Sequence, residues 1–152
     1  MKISKKAIPW KSRPSLVELN KLMVNMANHL AMEFTLFSEH ELSGKMPVDH
    51  RTRQPFGILH GGASCAFAET LGSVASNLCL DSEKYISLGM SLQANYLRPI
   101  TKGFVHGYTH PLHLGQSSHL WEITLYSDSG EVTSVFRLLT AIRQREKLPN
   151  SY

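Results

Sequence analysis

Hydrophobic positions follow two rhythms along the 152-residue chain. Leu19, Leu22, Met23, Met26 and Leu30 are spaced as on one face of a helix. Ser15-Leu16-Val17-Glu18, just ahead, has the form of a capping box, so the pattern predicts one amphipathic helix from Ser15 to about Leu30. Between Glu33 and Val48 the period becomes two. Leu42, Gly44, Met46 and Val48 share one face and Glu41, Ser43 and Lys45 the other, as in a strand wet on one side. The helical period returns over residues 61–80, where Phe67, Leu71, Val74 and Leu78 form a stripe.

The second half keeps to period two. Leu88, Met90, Leu92, Ala94 and Tyr96 alternate with Gly89, Ser91, Gln93 and Asn95, and residues 104–114, 120–126 and 132–142 also read as strands. Turn sequences at 99–103, 115–118 and 127–130 join them. Four successive strands without intervening helices predict an antiparallel sheet rather than a βαβ array. The expected order is helix, strand hairpin, long helix and four strands, an α+β protein. One domain is expected over residues 15–143, with a loose N-terminal arm at 1–14 and a tail at 144–152.

Composition narrows the picture. With hydrophobic residues at 42% and no low-complexity run, disorder, collagen and coiled coil are excluded. The longest uncharged stretches are studded with Gly, Ser, Asn and Thr, and no apolar segment follows the basic start. Neither a membrane span nor a secretory leader is expected, and a soluble, cytoplasmic protein is. The net charge of +4 is concentrated at the two ends, with no basic stripe interleaved with aromatics. Nucleic acid is therefore not expected as a partner. Either a mild attraction to polyanionic small molecules or plain solvated tails fits this distribution. Cys65 and Cys79, if on one helix, lie ~21 Å apart at ~1.5 Å per residue, too far to pair.

The predicted central helix has an unusual surface. Apart from its apolar stripe it is built from Gly62, Ala63, Ser64, Cys65, Ala66, Ala68, Gly72, Ser73, Ala75 and Ser76. Glu69 is the one formally charged residue between Gln54 and Leu80. The small residues predict a helix wrapped by the sheet on one side and closely approached by another surface on the other. Glu69 then reads either as the solvated edge of the helix or as a carboxylate held in a tight, partly dry place for chemistry, with Ser73 and Ser76 on its side. His60-Gly61-Gly62 stands where loop turns into helix, so the first N–H groups lack acceptors and the helix dipole favours negative charge. That is either a plain helix start or the donor set of an oxyanion hole.

Other chemistries are poorly matched. Gly62-Ala63-Ser64-Cys65-Ala66 is half a nucleophile elbow without its final glycine. Eight histidines bring no metal-ligand spacing, and His106 and His110 lack a third partner, so no metal is expected.

A longer pattern is more specific. Residues 46–64, containing Gln54-Pro55-Phe56-Gly57-Ile58-Leu59-His60-Gly61-Gly62, continue to Ala68-Glu69-Thr70-Leu71-Gly72-Ser73. Together with Ala94-Asn95-Tyr96-Leu97-Arg98-Pro99 and Pro111-Leu112-His113-Leu114-Gly115, this segment resembles the hot-dog fold acyl-CoA thioesterases. The likeness is to their aroyl-CoA branch, which carries a glutamate on the central helix, and it runs from about Leu16 to Ile142.

The resemblance implies a sheet curled round the central helix and protomers joined edge to edge, two such dimers usually associating, with sites at the dimer interface. It implies that the Gly61 N–H polarises the thioester carbonyl while Gln54 and His60 of the same subunit position it. Glu69 of the other subunit attacks or activates water, with Ser73 assisting. Contacts to the CoA nucleotide map to Gly89, to Tyr96, Leu97, Arg98 and Pro99, and to His113, Leu114, Gly115, Gln116, Ser117 and Ser118. Tyr96 stands where members often carry histidine, and Ser117 where one carries arginine. No cofactor is implied, since CoA is part of the substrate. The expected activity is hydrolysis of acyl-CoA, preferably aromatic, with 1,4-dihydroxy-2-naphthoyl-CoA of menaquinone synthesis foremost. The alternatives are broad-range hydrolysis, release of acyl groups from an acyl carrier protein and non-catalytic acyl-CoA binding.

Overall fold

A computed structural model describes residues 7–147. Its elements are α1 (Leu16–Asn20), α2 (Asn25–His29), β1 (Glu33–Phe37), β2 (Leu42–Pro47), α3 (Gly61–Leu78), β3 (Tyr85–Tyr96), β4 (Phe104–Leu114), β5 (Ser118–Ser127) and β6 (Val132–Gln144), followed by a 3-10 turn at Arg145–Lys147. The strands form one antiparallel sheet in the order β1-β2-β4-β5-β6-β3. Helix α3 touches every strand from β2 to β6, so the sheet wraps round it in the α+β, hot-dog arrangement. No helix among the described residues is long and apolar enough to cross a membrane.

The period-two and long-helix expectations match the extents of these elements closely, but in β3 Leu88, Met90 and Tyr96 of the expected apolar face are exposed, the pairing being irregular between Gly89 and Ser91. In β2, Leu42, Gly44 and Met46 are buried and their neighbours half-buried. In β5, His119, Trp121, Ile123 and Leu125 point inward. Phe67 and Leu71 of α3 are fully buried with Trp121, Phe34 and Phe136 in one core.

Three expectations are corrected. The single helix over residues 15–30 is two short ones. Its start is as expected: Ser15 Oγ accepts from the Glu18 N–H and Glu18 Oε2 accepts from the Ser15 N–H at 2.8 Å. It stops because the Asn20 side chain leaves the helix to pair with the Phe34 backbone in both directions, at 3.0 and 2.8 Å. Asn25 then takes a left-handed φ of 51°, which asparagine tolerates. Leu22 and Met26 consequently face outward while Leu19 and Met23 are buried.

The arm is not loose over its described residues, 7–14. Ile8 and Trp10 are buried. Trp10 stacks on Trp121 with ring centroids 6.2 Å apart and donates from Nε1 to Ser38 O at 2.8 Å. The N–H groups of Lys11 and Ser12 both donate to Leu78 O, closing the C-terminal end of α3. Apolar area and orphan carbonyls at that end would otherwise meet water.

The third correction concerns Ser76 on α3. Ala68, Gly72, Ala75 and Ser76 are the small residues that the chain's own sheet covers. A Cβ on Gly72 would fall 2.7 Å from Leu138 Cδ2 and 3.1 Å from Ile123 Cδ1, so the small residues let helix and sheet approach. Ser76 does not accompany Glu69 into the open. It is fully buried, with its Oγ 2.7 Å from both Ser87 Oγ and His119 Nδ1 and 3.1 Å from Thr140 Oγ1.

Candidate active site

The loop between β2 and α3 is held by its own hydrogen bonds. Arg51 grips both carboxylate oxygens of Asp49, and those bonds hold the Asp49 carboxyl down to about 2. Buried Thr52 donates to Pro47 O at 2.7 Å and accepts from the Asp49 N–H. Gln54 then closes a tight turn in which its N–H donates to Ile58 O and its carbonyl accepts from Gly57. Gly57 has a φ of 78°, the left-handed conformation that glycine adopts at no steric cost. Phe56 stands at the tip, 86% exposed. Leu59 is tied to Ile100 O and His60 to Thr52 O, which fixes the point where α3 begins.

His60 is the N-cap of α3. Its Nδ1 accepts from the Gly62 N–H at 2.8 Å, and its carbonyl accepts from the Ser64 N–H. The N–H groups of Gly61 and Ala63 find no acceptor among the described residues. Gly61 opens into a cleft of about 590 Å³ lined also by Gln54, Ile58, Leu59, Ser64, the segment 96–100, Thr133 and Ser134. A free amide at the positive end of an 18-residue helix, beside a carboxamide, suits a developing oxyanion.

Six of the expected residues thus line one cleft, Gln54, Gly61, Tyr96, Leu97, Arg98 and Pro99, and His60 caps the helix beside Gly61. Leu97 and Arg98 are held there by their N–H groups, which both donate to Thr133 O. The Arg98 guanidinium is partly engaged, donating to Val132 O at 2.8 Å and lying 3.8 Å from Glu131 Oε1.

Glu69 is elsewhere. It sits two turns along α3, exposed, with its carboxylate over Gly89 of β3, where an added Cβ would come 2.8 Å from Oε1. The dehydration expected for it is therefore not supplied by this chain. Ser73 is half-buried one turn further on, its carbonyl accepting from Asn77 Nδ2. Gly89 pairs with Thr140 of β6, and so does His119 of β5. The turn carrying His113, Leu114, Gly115, Gln116, Ser117 and Ser118 lies at this same end, as Ser118 pairs with Ala141. It is tied down by the Gly115 N–H to Ser118 O and the Ile142 N–H to Ser117 O, both 2.9 Å.

The two groups are far apart in one chain. Tyr96 pairs with Ser134 and Gly89 with Thr140, six residues of β6 or roughly 20 Å at ~3.3 Å per residue, and Glu69 lies eight residues along α3 from Gly61, ~12 Å at ~1.5 Å per residue. One chain does not bring the two sets into a single site. The cleft also holds Ile58 and Leu59 of the block that starts at Gln54, Ser64 of the incomplete nucleophile elbow, and Ile100, Thr133 and Ser134, which were not singled out in the sequence. Thr133 and Ser134 enter only through the pairing of β6 with β3, and nothing local in sequence marks them.

Comparison with known proteins bears on the family and the fold. Residues 56–134 match the family described as the thioesterase superfamily. The chain is 41% identical over 134 residues to 1,4-dihydroxy-2-naphthoyl-CoA hydrolase of Escherichia coli K12, covering 88% of this chain and 98% of that protein. It is 44% identical over 134 residues to the proofreading thioesterase EntH of Klebsiella pneumoniae, covering 88% and 97%. A crystal structure of a mutant of thioesterase PA1618 from Pseudomonas aeruginosa superposes with a TM-score of 0.88 at 39% identity, covering 90% of this chain and 99% of that one.

Proposed function

The chain belongs to the thioesterase superfamily and is a thioester hydrolase; from that premise we propose that it cleaves aromatic acyl-CoA to the free acid and CoA in the cytoplasm, at sites built from two copies of the chain. The observation that carries this is the unpaired Gly61 N–H at the start of α3, facing the cleft beside Gln54. Likeness to 1,4-dihydroxy-2-naphthoyl-CoA hydrolase supports the aromatic acyl group and makes its fused-ring substrate the first to test.

A second copy solves the separation of the two residue groups. Strand β3 is an edge of the sheet, twelve residues long, with Leu88 and Met90 exposed. Such an edge is an open template for pairing. Antiparallel pairing of β3 with β3 of a second copy, about a two-fold axis near its middle, sets Tyr96 beside Tyr85 of the other copy. Each cleft with its Gly61 amide then meets the end that carries Glu69, Gly89 and the 113–118 turn. The same contact removes Glu69 from water, which raises its reactivity as base or nucleophile.

In this arrangement the thioester oxygen accepts from the Gly61 N–H, and Gln54 and His60 orient the group. The Glu69 carboxylate either attacks the carbonyl carbon, expelling CoA thiolate and leaving a mixed anhydride that water hydrolyses, or takes a proton from the water that attacks. Both routes consume one water and give one carboxylic acid and one CoA thiol. Arg98, freed from Glu131, is suited to a CoA phosphate.

A panel of aroyl-CoA, alkyl-CoA and carrier-protein thioesters assayed with the purified protein tests the substrate. The highest kcat/KM is expected on the aroyl-CoA members, and a preference for alkyl chains overturns the aromatic assignment. Release from an acyl carrier protein is the second reading, favoured by the 44% identity to the proofreading thioesterase EntH beside 41% to the naphthoyl-CoA hydrolase. It predicts that the carrier-bound thioester outpaces the same acyl group on CoA.

A further inference from the structure

Tyr96 ends the edge strand β3 and leans across the first turn of α3. Its hydroxyl donates to Gly61 O at 3.0 Å and lies 3.0 Å from Cys65 Sγ, one helical turn on. A phenol has one proton to give. Since that proton goes to the carbonyl, the Cys65 thiol is the donor in the second contact. The ring packs edge-on against fully buried Phe136, with centroids 5.9 Å apart at 84°, so the phenol is anchored in the core at one end and on the helix at the other. Its hydroxyl end also lies close to Gly61, where an added Cβ would fall 3.0 Å from Cζ and 3.1 Å from the hydroxyl oxygen. The residue is 54% exposed overall, and its hydroxyl is engaged on both sides.

We propose that Tyr96 is a positioning residue, whose hydroxyl and ring hold the first turn of α3 so that the Gly61 N–H keeps its aim into the cleft. This rests on the oxyanion role given to Gly61 in the preceding subsection. It differs from the nucleotide contact that the resemblance assigns to this position, because the hydroxyl is already committed within the protein. Helix starts fray, and the first N–H groups have no intrahelical bond to keep them in line. An oxyanion donor is useful only if it is fixed before charge develops. A bond to the carbonyl of the same residue, from a side chain braced on Phe136, supplies that fixity. Burial pushes the Tyr96 hydroxyl up to about 12, and the phenol, protonated at neutral pH as any tyrosine is, has its proton available for Gly61 O.

The test uses Tyr96→Phe in the full-length protein. Phenylalanine keeps the ring against Phe136 and Gly61, so folding is retained, which a melting curve verifies. Rates are measured on benzoyl-CoA and on S-benzoyl-N-acetylcysteamine, which has no nucleotide. A positioning role predicts that kcat falls by about tenfold on both thioesters while KM stays within about twofold, a fraction of what loss of an oxyanion donor costs. A raised KM on benzoyl-CoA with unchanged kcat, and no effect on the short thioester, overturns it in favour of nucleotide binding. Unchanged rates on both thioesters overturn it as well. Glu69→Gln is measured alongside: if that variant keeps the wild-type rate, the site reading itself fails, whereas a dead Glu69→Gln with an unaffected Tyr96→Phe rejects the positioning role alone.

Discussion

The Glu69 carboxylate rests directly over the backbone of Gly89, so close that any side chain at position 89 would come within 2.8 Å of Oε1. Gly89 also stands at the irregularity in the pairing of β3 with β6, between Gly89 and Ser91. A glycine inside a strand often marks such a close approach. What Gly89 provides is room for an acidic side chain on the neighbouring helix.

Gly89→Ala therefore moves the carboxylate. The obstructed atom is the end of a flexible side chain, so the fold loses little, about 1 kcal/mol or less. Catalysis is less tolerant of a displaced reacting group, and kcat is expected to fall at least about tenfold. Steady-state kinetics set beside thermal melting check both halves. A variant with full activity breaks the link between Gly89 and Glu69.

Removing the acid is more severe. Glu69→Gln is expected to lower kcat by about a hundredfold or more, because amide nitrogen neither attacks nor takes a proton. Gln54→Ala, which only loosens positioning, costs less. If each site draws on two copies, mixing Glu69→Gln with Gln54→Ala subunits gives hybrids holding one site with both residues intact. Activity then rises above that of either variant alone on subunit exchange. An unchanged sum counts against shared sites.

The buried group around Ser76 makes stability depend on pH. Burial holds the His119 imidazole below its ordinary value, the neighbouring His113 adds to this, and a backbone hydrogen bond at Gly115 opposes it. The folded state therefore takes up a proton less readily than the unfolded chain, whose histidine titrates near the reference value of ~6.5. The stability that depends on neutral His119 is complete above that value and is lost as pH falls from there toward the depressed one. Melting temperatures between pH 7.5 and 5 are expected to drop in the wild type. In His119→Gln, which has no proton to gain, the slope is expected to flatten. Parallel slopes would remove His119 as the cause.

Gly72 tests the contact between helix and sheet. A methyl group there meets Leu138 Cδ2 at 2.7 Å and Ile123 Cδ1 at 3.1 Å in a fully packed core. Gly72→Ala gains helix propensity but overpacks, and a net loss of about 1–3 kcal/mol is expected in denaturant unfolding. A stabilised variant would mean that α3 can lift from the sheet without cost.

Much of this was readable in one dimension. The stripe Phe67-Leu71 and the alternation in β2 and β5 are local patterns, and burial follows them. The isolated charge of Glu69 and the amides after His60 were visible because each is unusual for its immediate neighbourhood. The break after Asn20 was not, since it depends on a partner fourteen residues away in β1. Trp10 looked like part of a solvated arm because its partners, Phe37 and Trp121, lie far along the chain. The small residues of α3 were rightly seen as a place of close approach, yet their size alone does not say what approaches.

The sequence by itself determined the elements and the chemistry at hand: a long helix with bare amides at its start, one carboxylate along it and an antiparallel sheet around it. Periodicity and helix-end chemistry act within a few residues, so they are written locally. Tertiary structure alone decided which groups meet. Pairing of β3 with β6 puts Tyr96 at one end and Gly89 at the other, about seven residues of strand apart. It also spends the Tyr96 hydroxyl on the helix and lodges Ser76 against His119. Those relationships arise from strand register and helix placement, which depend on the packing of the whole core.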